Sequence, residues 1–464
     1  MVKSSSGALF WTTCRIGERI PARSTEVTHV QIDRSRPLPA QIVEDVRGRI
    51  TDSRLAPGDP LPSTRVLARQ LGISRGSVVS AYEQLVGEGL LITSPGGTRV
   101  DPSLRVPGGP AAAPAPGPRP APPRGDLKPG EPATGLLTGA LWRSAWRAAA
   151  ARPTAHPAAG SERLRALVAE HVRLTRSVRV EAHDIVITAG ARDGLRLVLA
   201  ARGRRGTLAV EDPGYPSLRH VPRAMGWRLQ PVDTRAAGTG PRATPDRHAD
   251  AILVTPNHQF PTGAQMPAAR RFALLEAARR ADALIVEDDY DSALRQTHPP
   301  LLALDAEGRV AMLGSFSTTL TPALALGYLI VPPLLRERVA DLCLPTSGLV
   351  QDAVAAYMEA DGLRRHTARV RREYRRRRTA FVEIFPEGVP MESGLRAVVP
   401  LRAGVDEDGV VARCRAQGLA VEGMSGYWSA RGPRAPGIVL GLGTGPLDRL
   451  RERLAVLRRT VDGS

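Results

Sequence analysis

Apolar residues follow two different rhythms along this chain, and a segment with neither rhythm separates them. From Pro39 to Ser53, Ile42, Val43, Val46 and Ile50 recur at helical spacing, and Leu55-Ala-Pro-Gly58 supplies the turn residues that end the segment. Ser63 is a good N-cap for a second, shorter helix carrying Val66, Leu67 and Leu71, which Gly72 stops. A third begins at Ser74, where Val78, Ala81, Tyr82, Leu85 and Val86 fill the i, i+3, i+4, i+7, i+8 positions of one face. The three-residue link Gly72-Ile73-Ser74 gives these two helices the spacing of a helix-turn-helix. Leu90-Leu-Ile92 and Thr98-Arg-Val100 then flank Pro95-Gly96-Gly97, the pattern of a small hairpin or wing.

Between Pro102 and Arg124 proline, alanine and glycine dominate, a composition that cannot bury a core and reads as an extended linker. From about Asp126 onward the rhythm changes. Ile185-Val-Ile187, Thr207-Leu-Ala-Val210, Ile252-Leu-Val254, Leu284-Ile-Val286, Val310-Ala-Met-Leu313 and Tyr328-Leu-Ile-Val331 are short strand candidates alternating with longer helical patterns. That alternation predicts an α/β domain with a mostly parallel sheet, whose ligands sit at the C-terminal ends of its strands. Gly190, Glu287, Asp288 and Ser315 all fall at such ends. The expected organisation is a multidomain chain: a flexible tail over 1–35, an α+β winged helix-turn-helix over 36–103, the linker over 104–125 and the α/β domain over 126–464.

Composition narrows this picture. Hydrophobic residues make up 42% and charged residues 24%, a globular balance, and no apolar run approaches the ~20 residues of a membrane span. The N-terminus lacks a signal-peptide pattern, so the expected location is cytoplasmic. Cys14, Cys343 and Cys414 are too scattered for a disulfide framework or a zinc site. A net charge of +18 makes an anionic partner plausible, nucleic acid first, although residues 1–125 carry a surplus of only six positive charges. Nine arginines lie between Arg364 and Arg378, around Val370, Tyr374 and Phe381, and read as a solvated helix face; an extra phosphate-binding surface is the sharper alternative. Only two lysines occur, Lys3 and Lys128, so none lies between residues 129 and 464.

The first module has the chemistry of a DNA reader. Its third helix offers Arg75, Gly76, Ser77 and Val79 on the side away from the apolar stripe, where Arg75 can pair with a guanine edge. Arg65 and Arg69, one helical turn apart, suit phosphates, and Gly96 and Gly97 would let the wing backbone approach a minor groove. Leu61-Pro-Ser-Thr-Arg65, Gln70-Leu-Gly-Ile-Ser-Arg75 and Ala81-Tyr-Glu-Gln-Leu85 resemble the GntR-type winged helix over about residues 36–100. That resemblance implies a bacterial transcription regulator binding double-stranded operator DNA as a dimer, with Arg65, Arg75 and the wing glycines at DNA-contacting positions.

In the second module, Thr188-Ala-Gly-Ala-Arg-Asp193 leaves a strand and opens a helix, which is anion-binding geometry. Gly190, Ala191 and Arg192 form its turn. Tyr215 is placed to stack on a flat ring; Asp288 could keep a pyridine nitrogen protonated, and Tyr290 could hydrogen-bond a ring hydroxyl. A helix-capping turn is the plainer reading of the acidic cluster around Asp288. Glu211-Asp-Pro-Gly-Tyr-Pro216, His258-Gln-Phe-Pro-Thr-Gly263, Glu287-Asp-Asp-Tyr-Asp291 and Gly314-Ser-Phe-Ser317 are similar to the aminotransferase-like domain of MocR-type regulators, over about residues 126–450. The resemblance implies a fold type I aminotransferase domain that senses a small-molecule effector, dimerises head to tail and usually binds pyridoxal phosphate, here near Ser315 and Ser317.

Departures from that pattern bear on the chemistry. The family reads Ser-Lys-(Ser/Thr)-Leu where this chain reads Ser317-Thr318-Thr319-Leu320, so the Schiff-base lysine position holds Thr318, and a hydroxyl cannot replace an amine there. Ala325 stands where an arginine for the cofactor phosphate is expected, Ala189 where the family has serine or threonine, and Arg192 where it has glutamine. Near the C-terminus, Ile438-Val439-Leu440-Gly441 carries no arginine for a substrate carboxylate. The expectation is a DNA-binding regulator whose sensor domain lacks a catalytic lysine, uses no metal, and holds pyridoxal phosphate non-covalently if it holds it. Three alternatives stand beside it: an aminotransferase carrying a DNA-binding domain, with Lys128 as a distant substitute amine; a non-covalent site for another aromatic or anionic metabolite held by Tyr215, Asp288, Tyr290 and Arg192; and an empty, purely dimerising domain.

Overall fold

The computed structural model describes residues 32–94, 96–104, 125–203, 205–233, 249–294, 299–429 and 434–463, and these fall into two compact units, one within Met1–Pro120 and one within Ala121–Ser464. Almost all of the expected tail and linker lies outside the described residues. No described helix is long and apolar enough to cross a membrane, and no described group of three or more His, Cys, Asp or Glu residues is placed to hold a metal ion.

The smaller unit is three helices and a hairpin: α1 (Leu38–Thr51), α2 (Thr64–Leu71), α3 (Arg75–Gly87), β1 (Leu91–Ser94) and β2 (Gly97–Val100). The periodic residues Ile42, Val43, Val46 and Ile50 of α1 meet Leu67 of α2 and Val78, Ala81, Tyr82 and Leu85 of α3 in one core. Serine caps set both later helices. Ser63 accepts from the Val66 amide, and Ser74 from the Ser77 amide at 3.1 Å. Gly72, at φ +64°, closes α2 in the left-handed conformation that glycine adopts without strain. The hairpin is antiparallel, with Leu91 opposite Val100 and Ser94 opposite Gly97.

The larger unit begins with α4 (Ala140–Ala151) and α5 (Glu162–Arg176), then alternates β3 (Ile185–Thr188), α6 (Ala191–Ala201), β4 (Thr207–Asp212), α7 (Pro216–Ala224), β5 (Arg228–Asp233), β6 (Ala251–Val254), α8 (Ala268–Ala281), β7 (Leu284–Asp288), β8 (Val310–Ser315) and β9 (Gly327–Ile330). These strands form a seven-stranded sheet in the order β3-β9-β8-β7-β6-β4-β5, in which β9 alone runs antiparallel to its neighbours. Both faces are covered. Val186 packs with Leu195 and Val198 of α6, whereas Ile185 and Ile187 pack with Val168 of α5 and Val354 beyond the sheet.

After the sheet come α9 (Arg336–Leu342), α10 (Gly348–Glu359), α11 (Gly362–Ile384), β10 (Val389–Pro390), β11 (Arg396–Pro400), α12 (Glu407–Ala416), β12 (Glu422–Gly423), β13 (Gly437–Gly441) and α13 (Leu447–Asp462). Here β10, β11, β13 and β12 make a small antiparallel sheet outside the six expected strands; β10 and β12 are only two residues long, whereas β11 and β13 have five residues each and were passed over. Strand β5 was missed as well: it is the sheet edge and carries Arg228 and Gln230 among half-exposed positions. The arginine run lies on α11, with seven of its nine members exposed; Arg377 instead turns inward and donates to the carbonyls of Leu442 at 2.7 Å and Gly445 at 2.6 Å.

Candidate functional site

Strand ends gather the candidate residues in the larger unit. In the register of the sheet, Thr188 and Ser315 both lie opposite Gly327. A Cβ at Gly327 would come within 2.6 Å of the Gly314 carbonyl oxygen and 2.8 Å of the Gly190 Cα, so a bare glycine permits the turns after β3 and β8 to close on one space. That space is a cavity of about 260 Å³. Gly190, Ala191, Arg192, Tyr215, Asp288, Tyr290, Ser315 and Ser317 all line it, together with Thr318, Ala325, Ala189, Phe260, Gly130 and Arg396.

The four carboxylates at the end of β7 and just beyond it have four different surroundings. Glu287 accepts the amides of Leu301 at 3.0 Å and Leu302 at 3.1 Å, the capping role of the plainer reading. Asp289 pairs with Arg176 at 2.6 Å, with both side chains buried. Asp291 meets His258 Nδ1 at 2.5 Å, again buried. Asp288 remains: it is 5% exposed, lines the cavity, and its Oδ1 has no hydrogen-bond partner. Burial, then the neighbouring charges of Asp289 and Asp291, push its carboxyl up to about 8, against the pull of Arg396.

Aromatic groups form one wall. The Tyr215 ring lies 5.0 Å from Phe260 in an edge-on arrangement, and Tyr290 is 5.9 Å from Phe260 on another side. The Tyr290 hydroxyl donates to the His258 carbonyl at 2.9 Å, which fixes the ring. Opposite, Ser315 and Ser317 share a hydroxyl hydrogen bond of 2.7 Å, and Thr318 donates its hydroxyl to the Tyr290 carbonyl. Ala325 lines the cavity with a methyl group only, at φ +45°. Lys128 is not among the lining residues: its ammonium is bound to Glu131 at 2.7 Å.

Sequence reasoning missed Arg396. It sits on β11, is 7% exposed, and places its guanidinium 4.5 Å from the Phe260 ring centre, 5.6 Å from Tyr290 and 6.0 Å from Tyr215. In Gly-Leu-Arg-Ala-Val-Val it reads as one polar position in a strand, and nothing local signals that the fold aims it at a cavity lined from elsewhere.

On the smaller unit Arg65, Arg69, Arg75, Gly76, Gly96 and Gly97 are exposed. Arg75 Nε donates to Thr64 Oγ1 at 3.3 Å, which ties the first residue of α3 to the start of α2. Ser77 is half-buried, and its hydroxyl is shared with Ser74 at 2.9 Å, so it belongs to the cap as much as to the exposed face.

Comparison with known proteins agrees with both units. The family of bacterial regulatory proteins named gntR matches residues 38–100, and the class I and II aminotransferase family matches residues 143–421. The pyridoxine biosynthesis transcriptional regulator PdxR of Corynebacterium glutamicum is 42% identical over 91% of this chain and 96% of its own length. The chain belongs to the MocR-type transcriptional regulators. TauR of Rhodobacter capsulatus is 31% identical over 80% of this chain and 86% of its own, and the probable rhizopine catabolism regulator MocR of Rhizobium meliloti 29% over 76% and 78%. Among solved structures, an archaeal alanine:glyoxylate aminotransferase shares the fold with a TM-score of 0.65 at 20% identity, covering 74% of this chain and 91% of its own. A Pyrococcus horikoshii kynurenine aminotransferase does so with 0.63 at 22%, covering 73% and 91%. This MocR-type regulator is therefore a DNA-binding transcriptional regulator with an aminotransferase-like domain.

Its cavity fits the ring of pyridoxal phosphate better than the rest of that cofactor. Asp288 presents an unpartnered carboxyl, Tyr215 an aromatic face, and Gly190 with Ser315 and Ser317 a polar turn. Thr318 and Ala325 bring neither an amine nor a cation. The raised Asp288 carboxyl also has a consequence for stability. A carboxyl whose folded value lies above its unfolded value favours the fold fully below about 4, and that contribution is lost as pH rises through about 8. Asp288→Asn is expected to leave the unfolding temperature unchanged near pH 4 and to raise it at pH 8.5, where the stability gained is on the order of a few kcal/mol. Some slope persists, because burial also pushes Glu211 and Glu287 up to about 7. Thermal melts of both proteins across that range check this.

Proposed function

We propose that the aminotransferase-like unit of this regulator is a sensor without transaminase activity, which takes a small ring-bearing effector non-covalently and passes its occupancy to the winged helix. The observation that carries this reading is the cavity itself: Asp288 is buried, unpartnered and aimed into it, while the wall that would need an amine holds Thr318. Asp288 binds a ring nitrogen or another donor, Tyr215 and Phe260 cover the ring faces, and the backbone amides of the Gly190 turn with Ser315 and Ser317 hold a phosphate or other polar group. Pyridoxal phosphate, when bound, would supply an aldehyde on a protonated pyridine, and no lysine after Lys128 stands ready to receive it.

The effector class follows from the relative named for pyridoxine biosynthesis, so a compound with a vitamin B6 ring is the first to try. The regulator acts as a cytoplasmic homodimer on operator DNA, with Arg65 and Arg69 on phosphates, Arg75 and Gly76 on base edges, Ser77 beside them, and the backbone of Gly96 and Gly97 entering the minor groove. Coupling requires that the effector bind one spacing of the two winged helices better than another. Gel shifts of the DNA upstream of its own gene, with and without pyridoxal phosphate and pyridoxine, test this. A change in apparent affinity with either compound supports the reading, and an unchanged shift with both contradicts it.

A further inference from the structure

The cavity contains a buried cation that a vitamin B6 aldehyde or alcohol would leave unused. Arg396 is 7% exposed and lies over three aromatic rings, and its Nε has no hydrogen-bond partner. Stacking on Phe260 at 4.5 Å satisfies the face of the guanidinium but none of its N–H donors, which lie in the guanidinium plane. Leaving such a group buried without an acceptor costs free energy, so an acceptor is the missing part of the arrangement. Gly130 helps to keep the approach open: a Cβ there would come within 3.1 Å of an Arg396 terminal nitrogen. Asp288 is not that acceptor: Arg396 acts on its carboxyl through charge alone, and Asp288 Oδ1, like Arg396 Nε, has no hydrogen-bond partner. Of the lining residues, Arg192 is exposed, which makes Arg396 the one buried cation among them.

We propose that Arg396 is an anion site within this cavity and that the effector is an aromatic carboxylate, its ring among Tyr215, Phe260 and Tyr290, its carboxylate on Arg396 and a ring N–H or protonated ring nitrogen on Asp288. The inference rests on the sensing role proposed above and narrows its ligand. Two orphaned groups of opposite character in one cavity call for a ligand that carries both an acceptor and a donor. The aromatic wall calls for a flat one. About 260 Å³ accommodates it, being larger than the roughly 150 Å³ cavity that takes benzene. A carboxylate matches the planar fork of a guanidinium, and the contact strengthens where water is excluded.

Calorimetric titration of the full chain with pyridoxate, pyridoxine and pyridoxamine tests this, because the three share one pyridine ring and differ in a single substituent: carboxylate, alcohol or amine. Pyridoxate is expected to bind at least tenfold more tightly than either of the others. In Arg396→Gln that preference should collapse to within about twofold, and Arg396→Lys should restore part of it, since it keeps the charge and loses the fork. Equal binding of the three by the wild type, or a preference that survives Arg396→Gln, overturns the anion site while leaving the sensing role intact. Binding of none of them overturns both. Should Arg396→Gln fail to fold, as judged by its melt, the wild-type series and Arg396→Lys still decide the question.

Discussion

Replacing Asp289 by alanine is expected to destabilise the aminotransferase-like unit by about 3–5 kcal/mol, the cost of leaving a buried charge without its partner. Asp289 Oδ2 receives Arg176 Nε at 2.6 Å, and the two side chains are 0% and 3% exposed. The pair links the C-terminal end of α5 to the residue after β7, one position from Asp288. Removing the carboxylate leaves a buried guanidinium with a hydrogen bond to the Thr175 carbonyl at 3.0 Å and the more distant charge of Asp291. His171, on the same helix, brings no negative charge in either protonation state; burial, with Arg176 and Arg371, pulls its imidazole down to about 4. The double change Arg176→Met with Asp289→Leu should recover most of the loss, because an apolar pair of similar volume leaves no charge uncompensated. Chemical denaturation followed by tryptophan fluorescence reads this unit, since Trp142, Trp146, Trp227 and Trp428 all lie in it. A loss below about 1 kcal/mol for Asp289→Ala would show that the pair is not sealed from water.

Arg75→Ala is expected to weaken specific DNA binding roughly ten- to a hundredfold, the cost of one bidentate contact to a guanine edge. Arg75 is the first residue of α3, and Ser74 and Thr64 hold the turn that presents it. Arg65→Ala should behave differently. A phosphate contact carries no sequence information, so its loss should weaken binding to specific and random DNA alike and lower the salt slope by about one ion. Fluorescence anisotropy at several salt concentrations separates the two. If Arg75→Ala weakens random DNA as much as specific DNA, Arg75 is a phosphate contact and α3 is docked otherwise than proposed.

Much of this was legible in the residue pattern, for identifiable reasons. Six strands of the large sheet are continuous apolar runs because both of their faces are covered, and the helix caps at Ser63, Ser74 and Gly72 are written in single residues. Edge strand β5 and the short β10 and β12 carry no such signature, since half of their positions face solvent or are too few to form a pattern. The cavity residues at strand ends could be named in advance, because a parallel sheet places its ligands there. Which of Glu287, Asp288, Asp289 and Asp291 faces the cavity could not be settled by spacing alone: partners distant in sequence, Arg176, His258 and the Leu301 amide, assign the other three. Arg396 was illegible for the same reason, as its neighbours Phe260, Tyr215 and Tyr290 reach it only in the folded chain.

The central claim is that this regulator holds its effector without a covalent bond, and reductive trapping tests it most directly. Full-length protein is incubated with pyridoxal phosphate, reduced with borohydride, digested, and examined by mass spectrometry for a pyridoxyl group. The account predicts no stoichiometric label on any amine of the native chain, Lys128 included, and near-complete labelling of the new lysine in Thr318→Lys with Ala325→Arg, which restores an amine and a cation to the cavity wall. Stoichiometric labelling of Lys128 in the native chain, abolished by Asp288→Ala, would contradict it and return the domain to covalent chemistry from an unexpected direction.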